Sequence, residues 1–466
     1  MRLKKITVTN LFGMFCHEVP LNMDDHITII HGPNGIGKTI LLTLLDALFG
    51  PQEEYYKLRR IPFNELSMDF DDGSTLCMER RIVLEHPTLL DTIDGERNRA
   101  GNAIKLLLKF NTRGSDEKSY EVPSIRREGI TFSLERICSR IPELERMDSE
   151  TWIYVPTQEK LLLEDVLDRF GDRLPSSGMH KKGMDENEPE WLKKVRNSIH
   201  IHFIETQRLD TTRLFSFSDS RRLRRSEESY HTIPTVIDYS KELADAIREK
   251  LAEYAELSQS LDRTFPTRLV KGNDSSNPTI DELGDDFSKL EEKRSRLMAA
   301  GLLDRGEEID FKEFQEIDES NINVLSVYVH DVKEKLEVLD ELTDKIDLLV
   351  KIINSRFLYK EMSISKKDGF IFETSDGQSI SPTDLSSGEQ HELILNYELL
   401  FKVKPNSLIL IDEPELSLHV IWQQQFLRDL QEVIRLAGFD VLLATHSPEI
   451  IHDRWDLTVE LGGFTK

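Results

Sequence analysis

The feature that most constrains this chain is a pair of segments that must meet in space yet stand at opposite ends of the sequence. Residues 32–39, Gly-Pro-Asn-Gly-Ile-Gly-Lys-Thr, have the spacing Gly-x4-Gly-Lys-Thr. The β-branched run Ile27–His31 precedes them and the helix-forming run Ile40–Leu48 follows. That strand–loop–helix context is the one a phosphate-binding loop requires. Gly32, Asn34, Gly35 and Gly37 let backbone N–H groups curl around a phosphate, and the helix start adds partial positive charge. Lys38 then reaches the outer phosphates, and the Thr39 hydroxyl holds Mg2+. The second segment is the apolar run Ser407–Ile411, closed by Asp412, Glu413 and Pro414. In a phosphate-loop fold a strand ending in Asp delivers its carboxylate to the same Mg2+. The next acid, Glu413, is placed to polarise a water. The Asp412 strand is therefore expected next to the Ile27 strand in one sheet, although Asp412 follows Thr39 by 373 positions. The sequence between them leaves that sheet and returns.

The middle divides by pattern. Glu65–Phe70, Leu76–Val83 and Ile104–Asn111 alternate as strands, with turns at Asp72-Gly73 and around Gly95, so an antiparallel β subdomain is expected. Pro175–Pro189 reads as a loop. From about residue 239 to 356 the period is helical: Leu243, Ile247, Leu251, Tyr254, Leu257 and Leu261; Ile280, Leu283, Phe287 and Leu290; Val332, Leu336, Leu339, Leu342, Ile346 and Leu349. Pro266 and the polar run Gly272–Pro278 are expected to interrupt the outgoing arm, leaving helices of about 24 residues, ~36 Å long. These coiled-coil-like faces suit either an internal bundle or an arm for oligomerisation and partner binding. The expected division is 1–238, the first half of an α/β head with its β subdomain; 239–356, the helical arm; and 357–466, the second half of the head.

Charge and cysteine usage exclude several classes. A net charge of −25 disfavours general nucleic-acid binding, since phosphate neutralisation needs surplus Lys and Arg. The basic cluster Arg221-Arg222-Leu223-Arg224-Arg225 is either a solvated loop or a local contact for DNA or an acidic protein. Cys16, Cys77 and Cys138 form no CxxC pair, so buried free thiols are expected rather than a disulfide framework or a zinc site. No run approaches the ~20 apolar residues of a membrane span, and a cytoplasmic protein is expected.

Four further motifs carry a family resemblance. Leu385-Ser386-Ser387-Gly388-Glu389, followed by the helical run HELILNYELLF, resembles the LSGGQ signature of ABC ATPases. Thr445-His446-Ser447, after the strand-like Val441–Ala444, resembles that family's switch histidine, and Pro414–His419 its D-loop. Ile201–Leu209 (IHFIETQRL) resembles its Q-loop and nominates Gln207, the plain alternative being a surface glutamine after a strand. Ser387 and Glu389 replace a Gly and a Gln of the transporter signature, which argues against a transporter. With ITVTNLFGMF at residues 6–15, LILIDEPELSLH and LLATHSPEII, the chain resembles the SMC, RecF and OLD branch of ABC ATPases.

The resemblance implies a P-loop ABC head binding ATP and Mg2+. Thr39, Asp412 and Gln207 would hold the metal, and Glu413, His446 and Gln207 would serve hydrolysis. Ser386, Ser387 and Gly388 would complete the site of the opposite protomer in a homodimer or higher homo-oligomer. About twenty residues follow His446, and no Toprim or HNH nuclease pattern is visible. The chain thus resembles the standalone ATPase subunits of bacterial anti-phage defence systems, PARIS foremost and Septu second. That implies a separate effector protein, a Toprim nuclease or, as second choice, an HNH nuclease, and a phage-encoded trigger protein. The competing expectation is a RecF-like DNA-repair clamp; the charge and short arms make DNA a disfavoured partner, and no membrane is implied.

Overall fold

Four consecutive β-branched residues, Ile27, Thr28, Ile29 and Ile30, have stiff side chains suited to a pleated surface, and all four are buried. A strand buried on both faces belongs in a parallel sheet covered by helices, and that is where this one lies. The computed structural model describes residues 1–50, 55–84, 102–112, 117–122, 141, 143–147, 151–157, 159–170, 188–204, 210–216, 228–271, 279–304 and 322–462. Its strands in chain order are β1 (Leu3–Leu11), β2 (Phe15–Pro20), β3 (Ile27–His31), β4 (Glu65–Phe70), β5 (Thr75–Leu84), β6 (Asn102–Asn111), β7 (Lys118–Val122), β8 (Leu144–Arg146), β9 (Thr151–Tyr154), β10 (Glu159–Leu162), β11 (Ile201–Ile204), β12 (Asp210–Ser216), β13 (Glu228–Pro234), β14 (Lys360–Ser365), β15 (Gly369–Thr374), β16 (Ser379–Ile380), β17 (Leu408–Asp412), β18 (Asp440–Ala444) and β19 (Thr458–Glu460). The chain forms two compact units, Met1–Thr232 with Val403–Lys466, and Ile233–Lys402.

The first unit is an α/β P-loop ATPase fold. Its parallel sheet has the order β11-β17-β18-β3-β19. The antiparallel sheet has the order β2-β1-β4-β5-β6-β7 and contains the three strands expected between residues 65 and 111. The turn at Asp72-Gly73 joins β4 to β5, with Gly73 at φ 79; the one around Gly95 lies outside the described residues. The helix Lys38–Phe49 contributes Leu41, Leu42, Leu44 and Leu45 to an apolar core shared with Val8 and Met68 of the antiparallel sheet and Leu410 and Leu442 of the parallel one.

The expected adjacency of the Asp412 and Ile27 strands is corrected: β18 lies between β17 and β3. The helix Val420–Ala437 is the crossover from β17 to β18, and parallel neighbours need such a connection. The intervening strand is therefore the one leading to Thr445 and His446, which brings that motif between the other two.

In the second unit the helices Thr235–Lys271, Ile280–Ala299, Ile322–Glu337 and Asp340–Arg356 accompany the sheet β14-β15-β16 and the helix Ser387–Tyr397. The segment 357–402, assigned above to the second half of the head by motif order, is part of this unit. Leu283, Phe287, Leu290, Val332, Leu336, Leu339, Leu342, Ile346 and Leu349 are buried, so these stripes are packed within the unit. Ion pairs Lys335–Asp262 and Lys293–Asp340 join neighbouring helices.

The reading of Pro266 is also corrected. The helix runs through it for 37 residues, about 55 Å at 1.5 Å per residue. A mid-helix proline removes one N–H and crowds the preceding turn. Here that turn's Leu261 carbonyl accepts from the Thr264 hydroxyl (3.1 Å) and Arg268 Nη2 (2.8 Å), while Arg268 also pairs with Asp331. The cysteines depart from expectation in one respect: Cys16 is exposed and Cys77 half-buried, both free, and Cys138 lies outside the described residues. Among the described residues no helix is long and apolar enough to cross a membrane.

Candidate functional site

The loop after β3 is shaped by its glycines. Gly32, Gly35 and Gly37 have φ of 150°, 78° and 100°, values that L side chains adopt only under strain. A Cβ at Gly37 would lie 2.6 Å from Leu11 Cδ2, whereas one at Gly35 would meet nothing within 4 Å. Gly35 therefore faces open space while Gly37 is packed against the sheet. Gly37 is also the N-cap of the helix Lys38–Phe49, and no side chain caps that end. Its first N–H groups lack the partners that a capping side chain supplies elsewhere, and an uncapped helix start favours an anion.

Lys38 is buried, and its Nζ donates to the carbonyls of Gly32 (2.8 Å) and Pro33 (3.2 Å). The ammonium thus curls over its own loop, where phosphate oxygens would compete for it. Burial lowers its pKa, and the nearby Glu413, Asp412 and Glu415 carboxylates offset this only in part.

Asp412 ends β17 opposite Ala444 of β18. The Thr39 hydroxyl donates to Asp412 Oδ1 at 3.2 Å. Burial drives the Asp412 pKa up to about 6; the Thr39 hydrogen bond opposes the rise, and Glu413 and Glu415 add to it. A carboxylate so placed gains from a cation. Among the described residues no group of three or more His, Cys, Asp or Glu side chains forms a metal cage. One carboxylate and one hydroxyl suit Mg2+, which keeps several waters and takes substrate phosphates as ligands.

Glu413 has a left-handed backbone, φ 44° and ψ 54°, which costs a non-glycine residue about 1–2 kcal/mol. Its N–H donates to the Ala444 carbonyl at 2.8 Å, so the neighbouring strand holds the turn. Its Oε1 lies 3.6 Å from His446 Nε2, and His446 Nδ1 lies 3.3 Å from Lys38 Nζ. Lys38, Thr39, Asp412, Glu413 and His446 therefore meet at the carboxyl ends of β3, β17 and β18. An open cavity of about 430 Å3 lies beside them, lined by Asn34, Glu413, Glu415, Gln423 and His446 among others.

Sequence reasoning gave Glu415 no role of its own. Its Oε2 accepts from the Thr445 hydroxyl at 2.8 Å, and its Oε1 from the His446 N–H at 2.6 Å. One carboxylate thus clamps both residues of the loop that presents the imidazole. The available signal was a third acid within Asp-Glu-Pro-Glu, but its partners lie 30 and 31 residues onward.

Ser386 belongs to the second unit, where it is the N-cap of the helix Ser387–Tyr397. The Ser386 hydroxyl accepts from the Glu389 N–H, and the Glu389 side chain accepts from the Ser386 N–H. Ser387 and Gly388 form the first turn. Gln207 lies outside the described residues, as does the Arg221–Arg225 cluster.

A sequence-family model described as AAA ATPase domain matches residues 1–451. The chain belongs to this family. As an ATPase domain it is a nucleotide-binding fold, in keeping with its phosphate loop. No curated protein matches the sequence. Among solved structures, the SMC head domain from Thermotoga maritima aligns with 99% of this ATPase chain and 94% of its own, at 12% identity and a TM-score of 0.31. The SMC head domain with an extended coiled coil, bound to the C-terminal domain of ScpA, from Pyrococcus furiosus covers 97% of this chain and 91% of its own, at 10% identity and a TM-score of 0.31.

Proposed function

We propose that this chain is an ATP-hydrolysing head of the ABC type that works as a homodimer or higher homo-oligomer. In this reading it is the ATP-operated scaffold of a cytoplasmic anti-phage defence complex. The observation that carries the ATPase part is the meeting of Lys38, Thr39, Asp412, Glu413 and His446 from opposite ends of the sequence. The Gly32–Gly37 loop and the helix start cradle the β-phosphate. Lys38 exchanges its loop carbonyls for phosphate oxygens. Thr39 and Asp412 hold Mg2+, which when bound neutralises phosphate charge. Glu413, set forward by its left-handed turn, accepts the proton of the attacking water. His446 touches the γ-phosphate, and Gln207 contributes to the metal and water. Ser386, Ser387 and Gly388 close the site of the opposite protomer.

The biological setting rests on the family resemblance. The compact size and the short helical arm resemble AriA of the PARIS system, with PtuA of Septu second. The scaffold would then hold a separate Toprim or HNH nuclease until a phage protein releases or activates it.

The test begins with Glu413→Gln, expected to bind ATP, lose turnover and accumulate as an ATP-bound dimer in sedimentation, and with Lys38→Ala, expected to lose nucleotide binding. Both variants should also lose protection against phage. Wild-type turnover in Glu413→Gln would sink the hydrolytic assignment. Purification from the native locus should bring a small nuclease along; recovery with duplex DNA and repair factors would instead establish a DNA clamp.

A further inference from the structure

The signature-like segment departs from the transporter pattern at Glu389, a charged residue where that pattern has Gln, and the second unit holds the partner that explains it. Glu389 does three things at once. Its Oε2 accepts from the Ser386 N–H (2.8 Å) and from the Ser386 hydroxyl (2.8 Å). Both carboxylate oxygens accept from Lys360 Nζ, at 2.9 and 2.7 Å. Only 12% of the Glu389 side chain and 23% of the Lys360 side chain is exposed, so the pair is shielded enough to matter where an exposed pair contributes little.

Lys360 opens β14, four residues after Arg356 ends the helix Asp340–Arg356. Arg356 makes a fully buried ion pair with Glu392, one helical turn beyond Glu389. The two bases thus grip two acids on one face of the signature helix. The Ser386 hydroxyl is held by a carboxylate that is itself held by Lys360.

We propose that Lys360 is a positioning residue of the signature loop: through Glu389 it fixes Ser386 in the conformation that meets the nucleotide of the opposite protomer. This rests on the homodimer proposed above, in which each signature loop closes the site of the opposite protomer. In a chain with Gln at 389 the capping contact would be neutral and need no cation. With Glu, loss of Lys360 leaves a half-buried carboxylate without its counter-charge, free to turn toward solvent, so the Ser386 N–H and hydroxyl lose the fixed acceptor that now holds them.

The experiment uses the full chain carrying Glu413→Gln and measures ATP-driven self-association by sedimentation velocity, with monomer affinity for a fluorescent ATP analogue read in parallel. Adding Lys360→Met should weaken association about tenfold or more, the scale of one lost charge-assisted hydrogen bond, while analogue affinity stays within about twofold. Lys360→Arg should retain association. Lys360→Met with Glu389→Gln should regain it, because the neutral cap no longer needs the cation. Lys360→Met associating like its parent, or the double variant remaining as weak as Lys360→Met alone, would overturn the proposal. Should Lys360→Met fail to fold, the double variant decides alone: normal association supports the positioning role and loss overturns it. Absence of any ATP-driven dimer in the Glu413→Gln parent would overturn the dimer reading and the positioning role with it.

Discussion

The Thr39 hydroxyl and the Asp412 carboxylate meet at 3.2 Å although 373 residues separate them in the chain. Asp412 is buried there, and burial, against the opposing Thr39 hydrogen bond, raises its pKa from 3.8 to about 6. In the absence of metal and nucleotide, the folded state between these values holds a proton that the unfolded chain has released. Stability therefore falls as pH rises through that window and is level above it. Asp412→Asn should be more stable than the parent by about 1–2 kcal/mol near pH 7.5, after discounting for the partly solvated site. The advantage should vanish below about pH 4. Urea denaturation at the two pH values, with chelator present, checks this; an equal advantage at both would refute it.

The glycines at 35 and 37 should respond differently to alanine. At Gly37 a Cβ would clash with Leu11 at a φ of 100°, so Gly37→Ala should lose about 2–4 kcal/mol of stability, combining backbone strain and overpacking. At Gly35 the space is open and φ is 78°, so Gly35→Ala should lose only about 1–2 kcal/mol. Gly35 nevertheless belongs to the loop proposed to cradle phosphate, where an added methyl leaves less room for close backbone approach, and nucleotide affinity should fall by tenfold or more, roughly 1.4 kcal/mol. Thermal unfolding and ATP titration separate the two effects.

Glu415→Gln should test whether the clamp on Thr445 and His446 serves turnover. A neutral amide can accept one of the two hydrogen bonds but not with carboxylate strength. We expect kcat to fall about 10–100-fold, equivalent to ~1.4–2.7 kcal/mol, while nucleotide affinity changes by less than about threefold. A parallel loss of binding would show instead that Glu415 supports the phosphate loop.

The Arg356–Glu392 pair, with side chains 1% and 0% exposed, predicts strong non-additivity. Removing one partner strands the other's charge, so Arg356→Met should cost about 3–5 kcal/mol. Arg356→Met with Glu392→Met should recover most of that loss, since well-packed apolar replacements of a buried pair are often neutral. Chemical denaturation of these two variants and of Glu392→Met alone gives the coupling directly.

Much of the site was legible because its parts are local. A Gly-rich turn between a β-branched strand and a helix, or two acids after an apolar run, records its chemistry within eight residues or so. The three antiparallel strands from Glu65 to Asn111 were legible for the same reason, through alternation. What escaped is non-local. No period or spacing says that the strand before Thr445 slots between β3 and β17, because strand order is settled by crossover geometry. Glu415 and Lys360 act through partners distant in sequence. Pro266 misled because its helix-breaking effect is a local tendency, and the helix Thr235–Lys271 continues through it, with Arg268 beyond the proline tied to Asp331 of another helix.

The sheet order also sets a timetable for synthesis. Among the described residues β3 pairs with β18 and β19 alone, which span residues 440–444 and 458–460. A ribosome making this chain extrudes Ile27–His31 more than 400 residues before either neighbour exists. At about 5–20 residues per second, the strand waits some tens of seconds with both edges open. The antiparallel sheet and the helical unit contain all their own strands and can form in the interval; the parallel sheet cannot close until its last strands arrive. A nascent chain cut short before residue 440 should therefore carry an intact phosphate-loop sequence with no site around it, and an aggregation-prone strand for a chaperone to cover.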